Sequence, residues 1–242
     1  MKKHPLLLFI LIWSLSASAQ ETKYDTAAIF ILDHMSDVIG DLSSCSYTLR
    51  TSVDDLSSEG LGLVTHFSTH EVMLEGPNKM QVNSNGDKGH RGYWYNGEQL
   101  AFYSYDENNY SILEAPSTIL ETIDTLHAWY GIDFPAADFF YPTFTDDLIG
   151  HSDKIVYLGK SMIEGKACFR ILATNKETIT QLWISDDALT LPYKLLIIYK
   201  GKENGGQYEA TFTNWLINPE LPFSVFEFLP PPEASEIEML PK

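Results

Sequence analysis

Two hydrophobic periods alternate along the chain. Apolar residues at Tyr24, Ala28, Ile31, Met35, Val38 and Leu42 advance in steps of four and three, the spacing of one helix face, with Asp25, Asp33 and Asp37 off it. This predicts an amphipathic helix over 24–41, ended by Gly40 and Asp41. From Ser43 the period becomes two, which predicts strands near 44–53, 60–74, 79–84, 90–96, 98–105 and 109–114. Turn signals separate them at Ser57-Ser58-Glu59-Gly60, Gly76-Pro77-Asn78, Asn85-Gly86-Asp87 and Asn96-Gly97. At Pro116 the helical period returns in Ile119, Ile123, Leu126 and Tyr130, flanked by Leu120 and Trp129, and Gly131 closes a predicted helix over 116–130. A short apolar segment follows at 135–141, then a polar, loop-like stretch over 142–153 with one turn around Asp146 to Ile149. Strands resume near 154–161, 166–174, 178–186, 193–200, 207–213 and 224–229, with a break at Lys202-Glu203-Asn204-Gly205-Gly206. The tail from Pro230-Pro231-Pro232 is proline-led and acidic, and reads as a segment draped loosely over the surface.

Short consecutive strands with tight turns predict an antiparallel meander. Two helices without a bundle to join must lie across one side of that sheet. The stretch "RGYWYNGEQLAFYSYDENNYSIL" (91–113) poses the sharpest question, because both of its faces are apolar. An Asn96-Gly97 type I′ turn would pair Tyr95 with Glu98 and Tyr93 with Leu100, and a turn over Asp106–Asn109 would set Tyr105 against Tyr110. One face then carries Tyr93, Tyr95, Leu100, Phe102 and Leu113, the other Trp94, Tyr103, Tyr105, Tyr110 and Ile112. The first face is predicted under helix. The second, rich in Tyr and Trp, suits a half-wet surface, since these rings keep a polar handle for water.

The first residues change the picture of where this fold works. Lys2-Lys3, an apolar run from Pro5 to Leu15, and Ala17-Ser18-Ala19 have the form of a secretory signal peptide (residues 1–19) cleaved after Ala19. The run is shorter than the ~20 residues a spanning helix needs. No cysteine near the cleavage point offers a lipid attachment. The expectation is a periplasmic protein, not integral to the membrane, whose residues 20–242 form one domain. The net charge of the full chain is −17, and becomes −19 when two lysines and no acid leave with residues 1–19. Such a chain is repelled by phosphate backbones, so nucleic acid is excluded as a partner. Two cysteines, Cys45 and Cys168, either form a disulfide in an oxidising compartment or act as two buried thiols.

Signatures of chemistry are sparse. His70-Glu71 opens like a zinc-protease helix, but Leu74 stands where the second histidine belongs and the context is a strand. His66 and His70 share a strand face about 13 Å apart, too far to chelate one ion. Gly159-Lys160-Ser161 lacks the leading glycine of a phosphate loop, Lys154 standing in its place. There is no Gly-x-Ser-x-Gly elbow and no Ser-x-x-Lys. His34 and His127 read as hydrogen-bonded core groups rather than bases. The acid pairs Asp54-Asp55, Asp146-Asp147 and Asp186-Asp187 read as turn residues. No catalytic residue, metal or cofactor is implied.

Four blocks carry a resemblance: "YWYNGEQLAFYSYDENNYS", "YGIDFPAADFFY", "QLWISDDALTLPYKLLIIYK" and "NWLINPELPFSVFEFLPPPEASEI". In order and spacing, over roughly residues 25–237, the chain resembles DUF2092, a family of predicted periplasmic proteins similar in fold to the lipoprotein carriers LolA and LolB. The resemblance implies a mainly β, α+β fold: a single unclosed antiparallel half-barrel with helices in its concave side and an apolar cavity between. Within it, Trp94, Phe102, Ile119, Ile123 and Leu126 are the expected cavity residues, together with Trp129, Tyr130, Phe139, Phe140 and Trp183. Residues 116–141 are expected to act as its lid. The expected function is a non-enzymatic carrier for a hydrophobic small molecule or a lipidated protein. Two alternatives stand beside it: an interaction module binding another envelope protein, and an enzyme with a dispersed site.

Overall fold

A computed structural model describes residues 23–201 and 205–242. The expected signal peptide and cleavage after Ala19, and Lys202-Glu203-Asn204, lie outside the described residues.

Helix α1 spans Thr26–Gly40, started by the Asp25 carboxylate, which accepts the Ala27 N–H at 2.9 Å. It buries Ala28, Ile31, Leu32, Met35 and Ile39, so the stripe runs slightly to one side of the predicted one, with Tyr24, Val38 and Leu42 at its margin. Six antiparallel strands follow: β1 (Ser44–Leu56), β2 (Leu63–Glu75), β3 (Lys79–Gly86), β4 (Gly89–Tyr95), β5 (Gln99–Ser104) and β6 (Asn109–Glu114). Helix α2 is Ile119–Tyr130, and a 3-10 turn covers Ala137–Phe140. Helix α3, Phe144–Gly150, occupies a stretch read as loop. Asp146 and Asp147 in its first turn favour the positive end of the helix dipole, and the Thr143 hydroxyl donates to Asp147 Oδ2 at 2.7 Å. The chain continues in β7 (Lys154–Ile163), β8 (Lys166–Thr174), β9 (Thr178–Ser185), β10 (Pro192–Tyr199), β11 (Gly206–Ile217) and the two-residue β12 (Ser235–Glu236).

All twelve strands join one sheet, in the order β12-β6-β5-β4-β3-β2-β1-β11-β10-β9-β8-β7. Two meanders are thus zipped together at the centre, where β1 pairs with β11 from Cys45↔Ile217 to Val53↔Tyr208. The ends do not meet, and the predicted unclosed half-barrel is what the structure shows. The core is continuous from α1 (Leu32, Met35) through β1 (Tyr47, Leu49) to β4 (Tyr93, Tyr95) and β11 (Phe212). Each fully buried large side chain among them contributes ~1.5–3 kcal/mol.

Both predicted hairpins form two residues out of the expected register. Tyr95 faces Leu100 and Tyr93 faces Phe102, while Tyr103, not Tyr105, faces Tyr110. The reason at the first turn is local. The Asn96 side-chain oxygen accepts from the N–H groups of Glu98 and Gln99, and Gly97 alone takes a positive φ of 101°. A slip of two leaves every side chain on its predicted face, whereas a slip of one would have inverted them all.

The second aromatic face is half-wet as expected, with Tyr105 and Ile112 exposed, but part of it is covered by the chain's own tail. Residues 224–229 form no strand. A 3-10 turn at Phe223–Phe226 buries Phe226, and the extended chain after it lays Phe228 against Trp94, Tyr103 and Tyr110, at ring separations of 5.0, 5.9 and 5.6 Å. Gly92 has no side chain to obstruct the Trp94 ring lying over it. The tail, predicted as loose, then pairs in parallel with β6. The two cysteines are buried and free. Cys45 lies on β1 and Cys168 on β8, four strands apart in the sheet, so at ~4.8 Å per strand the Cα atoms are far beyond the ~7 Å a disulfide can span. Of the two alternatives, the structure shows two buried thiols, and the possible disulfide does not form.

Candidate functional site

Helix α2 is the element that defines the concave interior. Its start is a reciprocal cap: the Glu121 N–H donates to Thr118 Oγ1 at 3.2 Å, and the Thr118 hydroxyl donates to Glu121 Oε2 at 2.9 Å. Gly131 ends it in the left-handed conformation, φ 66°. Its near end is tied to the sheet, because the Ile119 N–H donates to Pro77 O and the Tyr95 hydroxyl donates to Pro116 O at 2.5 Å.

A cavity lies on each flank of this helix. On the flank facing the sheet centre, Ile119, Leu120 and Ile123 stand opposite Tyr47 and Leu49 of β1, Val72 and Leu74 of β2, and Val82 of β3. Phe134, Pro135, Ala137 and Phe140 close that space, which measures about 40 Å³. On the flank facing the sheet edge, Leu126, Trp129 and Tyr130 stand opposite Leu100 and Leu113, leaving about 210 Å³ beside Glu114, Thr122 and Thr125.

His70 is the one ionisable imidazole or carboxyl group lining the first cavity. It is 6% exposed, and its two ring nitrogens meet the hydroxyls of Thr51 (3.1 Å) and Ser84 (2.9 Å). Burial lowers its pKa to about 4, so at neutral pH the ring is uncharged and fully partnered. The Ser84–His70–Thr51 chain has no carboxylate to orient the ring, and so weak a base does not suit a nucleophile's partner. The same burial raises the Asp138 carboxyl, in the 3-10 turn, above the ordinary range.

Of the predicted cavity residues, Ile119, Ile123 and Phe140 line the first space and Leu126, Trp129 and Tyr130 the second. Phe139 is instead solid core, 2% exposed and wedged between Phe144 and Phe212. Phe102 is half-buried against Tyr93 and reaches neither space. Trp94 and Trp183 point away from the cavities altogether: Trp94 lies under Phe228, and Trp183 sits on the outer face with the Arg170 guanidinium 5.9 Å from its ring. Their strand neighbours Tyr93, Tyr95, Leu182 and Ile184 are the ones turned inward. His34 and His127, expected in the core, are exposed; His34 stacks on Phe30, and His127 meets Asp133 at 2.5 Å. The reading missed His70 and the wall formed by Tyr47, Leu49, Val72, Leu74 and Val82. The signal was present in the alternation His70, Val72, Leu74, which puts the imidazole on an apolar face. Among the described residues no helix is long and apolar enough to cross a membrane.

The family model described as "Predicted periplasmic protein (DUF2092)" matches residues 28–240. No curated protein matches the sequence. Among solved structures the chain is similar to the lipoprotein LppX of Mycobacterium tuberculosis, at 15% identity and a TM-score of 0.51, over 82% of this chain and 99% of that one. It is also similar to LprF of Mycobacterium bovis (13% identity, TM-score 0.47, 82% and 99% covered). A LolA superfamily protein of Nitrosomonas europaea follows at 10% identity and a TM-score of 0.33, with 83% and 97% covered. At such identities the likeness concerns the fold, and LppX is the structure that carries it.

Proposed function

The chain belongs to the DUF2092 family of periplasmic proteins, and from that premise we propose that it carries a hydrophobic ligand, a lipid or the acyl part of a lipidated molecule, beneath α2. The observation that supports this is the pair of cavities on either side of one helix, the inner one apolar and the outer one mainly so. The inner cavity, at about 40 Å³, has room for only a few water-sized groups. An acyl chain therefore enters only if α2 shifts, and a shift of α2 merges the two spaces into one slot floored by β1–β6. The helix is suited to moving, since Trp129 at the rim of the larger cavity is 60% exposed and the buried residues of the helix are only Thr122 and Leu126. Lids come from the part of a fold that opens locally while the rest holds.

Organic extracts of the natively purified protein, analysed by mass spectrometry, should contain a stoichiometric lipid. Replacing Ile123 by Trp fills the inner space and should abolish binding of a fluorescent fatty acid while leaving the circular dichroism spectrum unchanged. If the protein binds no fatty acid or phospholipid before the substitution, or binds equally well after it, this reading is wrong.

A further inference from the structure

We propose that the C-terminal segment, residues 226–242, is a latch that holds α2 closed; the idea deepens the lid reading above and rests on it. The segment crosses from one side of the sheet to the other around its open edge. It is rooted on the outer face, where Phe226 is 1% exposed and Phe228 is held by three aromatic rings. It turns the edge as β12, with the Ser235 N–H donating to Asn108 O at 3.0 Å and the Ile237 N–H to Tyr110 O at 2.8 Å. Asn108 Nδ2 adds a bond to Glu233 O at 3.1 Å. It then reaches the concave side, where the Lys242 N–H donates to Trp129 O at 2.7 Å.

That last bond is placed where a helix has a carbonyl to spare. The carbonyls of a helix's final turn have no donor of their own, and those of Leu126 and His127 are taken by Ile132 and Gly131. Trp129 O is satisfied from the tail. The side-chain-free Gly131 makes room for the Lys242 stem beside it. With the near end tied at Pro77 and Pro116, this bond holds the far end, and the far half of α2 is the half that covers the larger cavity.

The two ends of the latch differ in strength. The root is buried, whereas Leu240 is 72% exposed and Lys242 is also exposed. The catch therefore lets go first, and the segment remains attached to be caught again. Release frees the far end of α2 to pivot about Pro116, opening the larger cavity at the sheet edge without breaking any β1–β11 pairing.

The test compares the full chain with two variants, one ending after Glu238 and one carrying Lys242→Pro, which removes the N–H donor together with the lysine stem beside Gly131. Hydrogen exchange of the unliganded proteins is read in 119–130 and in β1 and β11. Both variants should raise exchange in 119–130 about fivefold, the equivalent of one exposed hydrogen bond, with β1 and β11 unchanged. Uptake of the fluorescent fatty acid cis-parinaric acid should quicken by a similar factor. Unchanged exchange in 119–130 overturns the latch. Faster exchange in 119–130 with no cis-parinaric acid bound by any of the three proteins leaves the latch standing and removes the carrier reading.

Discussion

Acid should weaken this fold through His70. The imidazole is buried among β1, β2 and β3, and burial alone takes its pKa from 6.5 to about 4. In the unfolded chain it regains the ordinary value, so between those limits the unfolded state binds more protons than the native one. Stability therefore rises with pH across this window, is fully present above about 6.5, and is lost as the pH falls towards 4. The difference of about 2.5 pH units sets a ceiling of about 3 kcal/mol, of which about 2 kcal/mol is already lost at pH 5. The assay is urea unfolding at several pH values between 7.5 and 4.5, for the wild type and for His70→Gln. The amide keeps a donor and an acceptor for Thr51 and Ser84 but does not titrate. Other groups contribute equally to both proteins, so the difference in slope isolates the histidine. Between pH 7 and 5 the wild type should lose about 2 kcal/mol more than the variant. Parallel pH profiles would refute the argument, because they would mean that the imidazole is hydrated or paired with a charge in the native state.

Phe139→Ala should cost about 3–5 kcal/mol of stability in urea, as expected for a large ring removed from solid packing. The same substitution should leave fatty-acid binding per folded molecule unchanged, which separates core from cavity wall. Cys45 and Cys168 should both resist alkylation in the native protein and both react after denaturation without reductant, shifting the intact mass by two adducts. For Cys45 the barrier is chemical as well as steric, since burial pushes its thiol up to about 12.

What the sequence alone determined is whatever depends on neighbours a few residues apart. The stripe of α1, the capping of α2 by Gly131, and the strand alternation from Ser44 to Glu114 were legible because side-chain direction repeats every 3.6 or 2 residues whatever the rest of the chain does. The faces of β4–β6 survived even a wrong register for the same reason: two residues is a full period of a strand. Short acidic stretches were the exception. Asp146-Asp147 read as a turn because the same residues that favour turns also favour a helix start, and one turn of chain is too short for periodicity to choose between them. Tertiary structure alone decided which distant segments meet. The pairing of β1 with β11 joins residues up to 172 positions apart (Cys45 with Ile217), and it sets the four-strand gap that keeps the cysteines from bonding. No local pattern indicated that Phe228 would cover Trp94, or that the apolar face carrying His70 would line a cavity under α2. Those contacts follow from the curvature of the unclosed sheet and from which apolar surfaces remain uncovered once it has formed, and both are properties of the assembled chain.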